Sequence, residues 1–402
     1  MNRLNTWADV RAQFELMPNR IHFSQFFLTS HPAPVREAIA RHRRGLDESP
    51  LEYVRENWVP AENRVEEAAA KYLEVNKNEI VLTDSTTMGL SLLYNGFKLM
   101  PGDDVMTTTH AHFSLHKSLD YAVAKKGATL RKIALYEDPA SVSTDALVDS
   151  VMTAIQPNTR IIALTWVDSC TGVKTPVRAI SDAVQDVNMK RDADDRIYVC
   201  VDGVHGFGID AVTMEDLGCD FFAAGAHKWL FGPRGTGILW GKKDAWDMIS
   251  PTIPSFRDKT YMMWEGAIPE GPIEFNDWIT PGGFHAFEHC WALKEAFDFH
   301  LDIGKQRIQD RTWELSSLLK EALNDIKGVR LHTPLAPELS AGINCFEIEG
   351  LHPKEAAKRL FEKGIIATAS PYRQSFVRLA PSIVNTEEEV EFVVEAVKEI
   401  SV

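Results

Sequence analysis

The chain has 402 residues, 45% of them hydrophobic and 25% charged, an ordinary globular balance with length for two or three domains. Lys and Arg number 43 against 57 Asp and Glu, a formal net charge of −14, so neither nucleic acid nor an anionic membrane surface is expected as a partner. No run approaches the roughly 20 apolar residues that a membrane-spanning helix requires.

The first residues, MNRLNTWADVRAQFELMPNR, contain no apolar targeting core, and a cytoplasmic protein is expected. From about residue 60 to 240, short β-rich runs alternate with amphipathic helical stretches. The predicted strands are 79–83, 104–109, 160–166, 196–202, 219–225 and 235–241, and the helical stretches include 61–74, 87–97, 113–126 and 176–187. Continuous apolar strands separated by helices predict an α/β fold with a mainly parallel sheet covered on both faces. Residues 251–285, rich in Pro, Gly and Trp, read as an ordered connection. A long helical region, 286–325, follows, and then a smaller α+β region with a final acidic helix from about Thr386.

Cys170, Cys200, Cys219, Cys290 and Cys345 are scattered, with no metal-ligand spacing. His112 and His116 can share a helix face beside His110, but no Cys or carboxylate is spaced to complete a site, so no metal is expected.

The most informative stretch is VDGVHGFGIDAVTMEDLGCDFFAAGAHKWLFGPRGTGILWG, residues 201–241. Asp202 ends a very apolar strand, where the carboxyl ends of a parallel sheet form the ligand crevice. A carboxylate there can hold a pyridine nitrogen protonated; taken alone, it also suits a turn cap. Lys228, just after another apolar strand, supplies the amine that Schiff-base chemistry requires, and its apolar and aromatic neighbours lower the amine pKa.

VDGVH followed by AGAHKWLFGPRGTG resembles the class V aminotransferase family of fold-type I enzymes dependent on pyridoxal 5′-phosphate (PLP), in its isopenicillin N epimerase-like and cysteine desulfurase-like branch. The resemblance covers roughly 20–400. It implies a large PLP-binding domain (61–285) with a mainly parallel seven-stranded sheet, a small C-terminal domain (286–402), and an N-terminal segment (1–60) packed with the small domain. It makes Lys228 the cofactor lysine and Asp202 the partner of the pyridinium. His205 falls near the PLP phenolic oxygen or the aldimine, and His227 and the hydroxyls of Ser85, Thr86 and Thr87 near the phosphate, where a helix start adds free N–H groups. His110 aligns with a histidine that stacks on the cofactor ring, with His112 competing for that place. Ser169 falls where desulfurases often carry an Asn. Arg378 is the expected clamp for a substrate carboxylate, with Arg373 a second candidate. Thr280, before Gly282 and Gly283, resembles a segment that reaches the neighbour's phosphate, implying a homodimer with shared sites.

One departure matters. Desulfurases carry a catalytic cysteine shortly before the position of Arg378, and KGIIATASPYRQSFVR has none. The expected activity is therefore an epimerase or side-chain lyase, such as a C–S lyase, acting on an amino acid through an external aldimine. A class V aminotransferase and a non-catalytic PLP-binding scaffold are the alternatives.

Overall fold

The structure, a computed structural model, describes residues 4–401. Residues 1–3 and 402, the extreme ends of the expected N-terminal segment and small domain, lie outside the described residues. A short strand, β1 (Ile21–His22), precedes β2 (Ile80–Thr83), β3 (Asp104–Thr108), β4 (Thr129–Ile133), β5 (Thr159–Thr165), β6 (Tyr198–Asp202), β7 (Phe221–Gly225) and β8 (Gly237–Gly241). The last seven form one sheet in the order β2-β8-β7-β6-β5-β3-β4. Only β8 runs against its neighbours β2 and β7; the other pairings are parallel.

The central strands are apolar throughout because both faces are covered. Successive side chains on a strand point to opposite faces. Ile161, Ala163, Tyr198, Cys200, Phe221 and Ala223 therefore enter one core, shared with Leu90 and Leu93 of helix Thr86–Gly96 and Leu115 and Leu119 of helix Phe113–Lys126. Ile162, Leu164, Val199, Val201, Phe222 and Ala224 enter a second, shared with Val65 and Ala69 of helix Pro50–Leu73 and Ile180 and Val184 of helix Val177–Asn188. The strand missing from the sequence reading is β4, TLRKI. It is an edge strand whose residues are partly or fully exposed, and charges there discourage edge-to-edge pairing at the cost of the apolar signal.

The smaller sheet comprises β9 (Val329–Leu331), β10 (Asn344–Ile348), β12 (Thr368–Ala369) and β13 (Val377–Leu379), antiparallel in the order β12-β13-β10-β9. Its core joins Phe346, Val377 and Leu379 to Leu315 and Leu319 of helix Lys305–Asn324 and Val393 and Val397 of helix Glu387–Ile400. The final helix starts as expected: Thr386 and Glu389 form a reciprocal capping box.

Three predicted segments differ in detail. The helix expected at 61–74 begins at Pro50 and continues through Pro60, so the expected boundary at residue 60 falls inside a helix. The region 286–325 is three helices, Phe287–Trp291, Leu293–Ile303 and Lys305–Asn324, with Gly304 at φ 98° between the last two. The connection 251–285 contains two short helices, Asp258–Trp264 and Phe275–Ile279.

The N-terminal stretch divides its contacts. β1 pairs in parallel with β11 (Ile365–Ile366), and Arg11 donates to Val384 O at 2.8 Å and to Glu389 at 2.6 Å. The helices Ala33–Glu48 and Pro50–Leu73 pack instead against the two helices spanning 287–303. A buried ion pair also ties the large sheet's surroundings to helix Lys305–Asn324. Lys174 meets Asp210 at 2.9 Å, lies over the Trp313 ring, and shares Asp210 with the Trp313 N–H at 3.2 Å.

Candidate active site

The carboxyl ends of β2, β6 and β7 point to the same side of the sheet and deliver Thr83, Asp202 and Gly225 together. After Thr83, Ser85 caps helix Thr86–Gly96, its hydroxyl accepting from Met88 N–H at 3.1 Å. The Thr86 hydroxyl accepts the Gly225 N–H at 2.7 Å, which fixes this helix start against the end of β7. The first turn of a helix carries unsatisfied N–H groups and a positive dipole end, which suit an anion. Three residues beyond Gly225 comes Lys228. Its loop is backed by Gly208, at φ 94°, where an added Cβ would stand 2.5 Å from Leu230 N.

These ends converge on a cavity of about 420 Å³. Ser85, Thr86, Thr87, Asp202, His205, His227, Lys228, Ser169 and Arg378 all line it, as the sequence reading expected. Lys228 Nζ lies 3.2 Å from His205 Nε2. Burial depresses the Lys228 amine to about 8, opposed by the charge of Asp202 and assisted by that of Arg378. Burial likewise raises the Asp202 carboxyl to about 6; its oxygens receive one N–H, from Val204 at 3.3 Å. Burial, reinforced by neighbouring cations, holds His227 at about 4 and His205 well below the usual imidazole range. The buried Nδ1 of His205 has no hydrogen-bond partner among the described residues.

Arg378, on β13 of the smaller sheet, is 5% exposed and reaches residues outside that sheet. It donates to Ser169 O at 2.9 Å and to the Thr368 hydroxyl at 3.1 Å, and its guanidinium sits 4.6 Å from the Phe26 ring centroid. The guanidinium has five N–H donors, so N–H groups remain on both terminal nitrogens for a carboxylate. Ser169 contacts the Tyr372 hydroxyl at 2.5 Å, closing one side of the cavity.

Three expected residues lie elsewhere. His110 does not line the cavity. Its ring stacks on Tyr136 at 3.9 Å and 14°, and its Nε2 accepts the Leu135 N–H at 3.3 Å, because the chain turns away after β3. His112, the competing candidate, lines the cavity and caps helix Phe113–Lys126. Arg373 is exposed on the loop before β13 and is not a lining residue. Thr280 is buried beside Thr83 and Asp84, behind the helix start, and does not line the Lys228 cavity of its own chain. The sequence reading missed Phe26, Phe27 and Leu28, which reach the cavity from the N-terminal stretch, and Tyr372 and Asp168. No local pattern distinguishes an aromatic in an irregular segment from a core residue. Asp168 in TWVDSCTG was adjacent to a named candidate and was the more legible of these.

The arrangement suits a phosphorylated pyridine aldehyde. An amine of lowered pKa can condense with the aldehyde, a buried carboxylate short of donors can pair with a ring N–H, and a helix start with three hydroxyls can hold the phosphate. No group of three or more His, Cys, Asp or Glu residues able to hold a metal occurs among the described residues. No helix among them is long and apolar enough to cross a membrane.

Comparisons with known proteins agree with the architecture. The chain is 23% identical over 411 residues to an isopenicillin N epimerase of Amycolatopsis lactamdurans, covering 98% of each. It is 28% identical over 295 residues to a probable cysteine desulfurase of Halalkalibacterium halodurans, covering 72% of this chain and 67% of the relative. The cystine C–S lyase C-DES, solved with its reaction product cysteine persulfide, superposes with a TM-score of 0.85 at 22% identity, covering 96% of this chain and 99% of that one. The aminotransferase class-V family model matches residues 52–393, so the protein belongs to the class V aminotransferase family, whose cofactor is PLP.

Proposed function

We propose that this PLP enzyme acts at the Cα and Cβ of an amino acid, as an epimerase or side-chain lyase, and that Lys228 is its cofactor lysine and proton carrier. The observation that carries the reading is the placement of Lys228, Asp202 and Arg378 around one cavity. PLP, when bound, supplies an electron sink for the pair left at Cα. Lys228 would hold the cofactor and, once displaced by the substrate amine, take and return the Cα proton. Asp202 would hold the pyridine N–H, and His205 the phenolic oxygen. Ser85, Thr86, Thr87 and His227 would hold the phosphate, with His112 over the ring face and Ser169 beside the phenolic oxygen. Arg378 would grip the α-carboxylate and so aim the bond to be broken.

Elimination or epimerisation is favoured over transfer of sulfur to an enzyme cysteine for a physical reason. The thiol facing the loop before β13 is Cys170, 3.4 Å from Gln374 O, and burial pushes its pKa up to about 12. A thiol so far from ionised is a poor nucleophile. The names of the epimerase and C–S lyase relatives support the same choice.

A homodimer is part of the reading. A groove of about 1160 Å³ beside helix Pro50–Leu73, with Trp58 and Phe287 in its wall, adjoins Phe284, which is 78% exposed. Thr280 lies under the same segment and would approach the partner's phosphate. The exposed Phe284 ring is a supporting feature of a contact surface.

The test is incubation of the holoenzyme with a panel of amino acids in heavy water. Either Cα deuteration with inversion, or loss of the β-substituent with deuterium at Cβ of the keto acid released, is expected for at least one. Stoichiometric keto acid formation with a change in cofactor absorbance would favour the aminotransferase. No exchange with any amino acid would leave the non-catalytic scaffold.

A further inference from the structure

A residue that grips a substrate carboxylate must already face the right way when the substrate arrives. The guanidinium of Arg378 is a flat cation, with its N–H groups along the edge and none on its faces. That edge is partly occupied. Nε donates to the Thr368 hydroxyl at 3.1 Å, one terminal nitrogen to Ser169 O at 2.9 Å and the other to Ala369 O at 3.5 Å. These acceptors are all uncharged, so they orient the group but offset only part of the cost of taking a cation out of water. Burial accordingly lowers the Arg378 pKa.

The face of the guanidinium is met by Phe26. This residue is 1% exposed, and the guanidinium carbon stands 4.6 Å from its ring centroid. The negative face of an aromatic ring attracts a cation at this range, most strongly where water is excluded. Such a contact uses none of the N–H groups. It fixes the plane of the guanidinium and leaves the rest of the edge to a carboxylate. Phe26 is itself held along the chain on both sides. Phe23 O accepts the Ala380 N–H at 2.8 Å, two residues beyond Arg378. The Thr29 N–H and hydroxyl both donate to His227 O, at 3.3 and 3.0 Å. The Phe26 ring also lies 6.1 Å from that of His205, tilted at 54°.

We infer that Phe26 is a positioning residue, whose ring holds the plane of Arg378 and through it the substrate carboxylate, a role that rests on Arg378 being the carboxylate clamp.

Two carbonyl reagents of like nucleophile, applied to the PLP-loaded protein, isolate this effect. Aminooxyacetate carries a carboxylate and methoxyamine does not. Each displaces the Lys228 amine from the cofactor and leaves an oxime, read by absorbance. The ratio of the two rate constants measures the guidance given to a carboxylate, and the methoxyamine rate reports an intact cofactor site. Phe26→Leu should lower the ratio about three- to thirtyfold, the range of a buried contact between a cation and a ring. Pentafluorophenylalanine at position 26 keeps the shape of the ring but reverses the charge on its face, and should lower the ratio similarly. When Arg378→Ala is already present, Phe26→Leu should change the ratio no further, because the two residues act as one unit. A ratio left intact by pentafluorophenylalanine but lowered by Arg378→Ala would overturn the inference. So would a full further fall when Phe26→Leu is added to Arg378→Ala. If Arg378→Ala itself leaves the ratio unchanged, the carboxylate is gripped elsewhere, and the role of Arg378 falls together with that of Phe26.

Discussion

The Lys228 amine faces the imidazole of His205 across 3.2 Å, and both groups are held from their charged forms by burial. The free amine is the form that attacks an aldehyde, and an amine at about 8 is free at a much lower pH than an ordinary lysine near 10.4. Covalent PLP loading of the apoprotein should rise with pH with its midpoint near pH 8 and level off above it, while a small free amine in the same buffer keeps rising to higher pH. His205 titrates far below this window and leaves no inflection in it. Borohydride reduction should place the pyridoxyl group on Lys228. Mapping to another lysine, or a rate still climbing through pH 10, would count against the assignment.

Arg378→Ala removes a forked charged contact from the substrate. A hydrogen bond to a charged group contributes about 1.5–3 kcal/mol, which is roughly a ten- to hundred-fold loss in kcat/KM. Arg378→Lys should recover only part, since an ammonium lacks the planar fork. PLP content should remain near that of the unmodified protein. Normal kcat/KM in Arg378→Ala on an amino acid would place the carboxylate elsewhere.

The two neighbouring histidines should part company. His112→Ala should shift the absorbance of bound PLP and weaken its retention. His110→Ala should leave the spectrum unchanged and lower the Tm, because it removes a stacked ring and an acceptor for Leu135 N–H, together about 1–3 kcal/mol. A spectral change confined to His110→Ala would reverse these roles.

Lys174→Ala leaves the buried Asp210 carboxylate without its cation. Breaking such a pair on one side costs about 3–5 kcal/mol, measurable as a lower denaturation midpoint. Replacing both members, Lys174→Met with Asp210→Leu, should restore much of that loss. A single substitution with no effect would show that the ion pair does not hold the helix Lys305–Asn324 in place.

The large sheet was legible because its central strands are buried on both faces and are apolar without interruption, and the strand-end position of Asp202 and the loop of Lys228 follow directly from them. β4 was not, because an edge strand replaces apolar residues with Arg131 and Lys132. The site was legible where a residue sits at a strand end or helix start, as Asp202, Ser85 and Thr86 do. It was illegible where the direction of a turn decides. His110 and His112 are two residues apart, and only the path of the backbone after β3 sends one to Tyr136 and the other to the cavity. Phe26, Phe27 and Leu28 could not be read at all, since their placement depends on a pairing with the far end of the chain.

That pairing has a consequence for the order of assembly. Ile21 lies beside Ile365, and a few residues further on the same strand leads into the aromatic wall of the cavity. During synthesis the wall leaves the ribosome well before its docking strand does. The central sheet can form while residues 21–28 still wait, apolar and unpaired. Contacts of such long sequence separation form slowly, so competence to bind substrate should arrive last, after the fold is otherwise built.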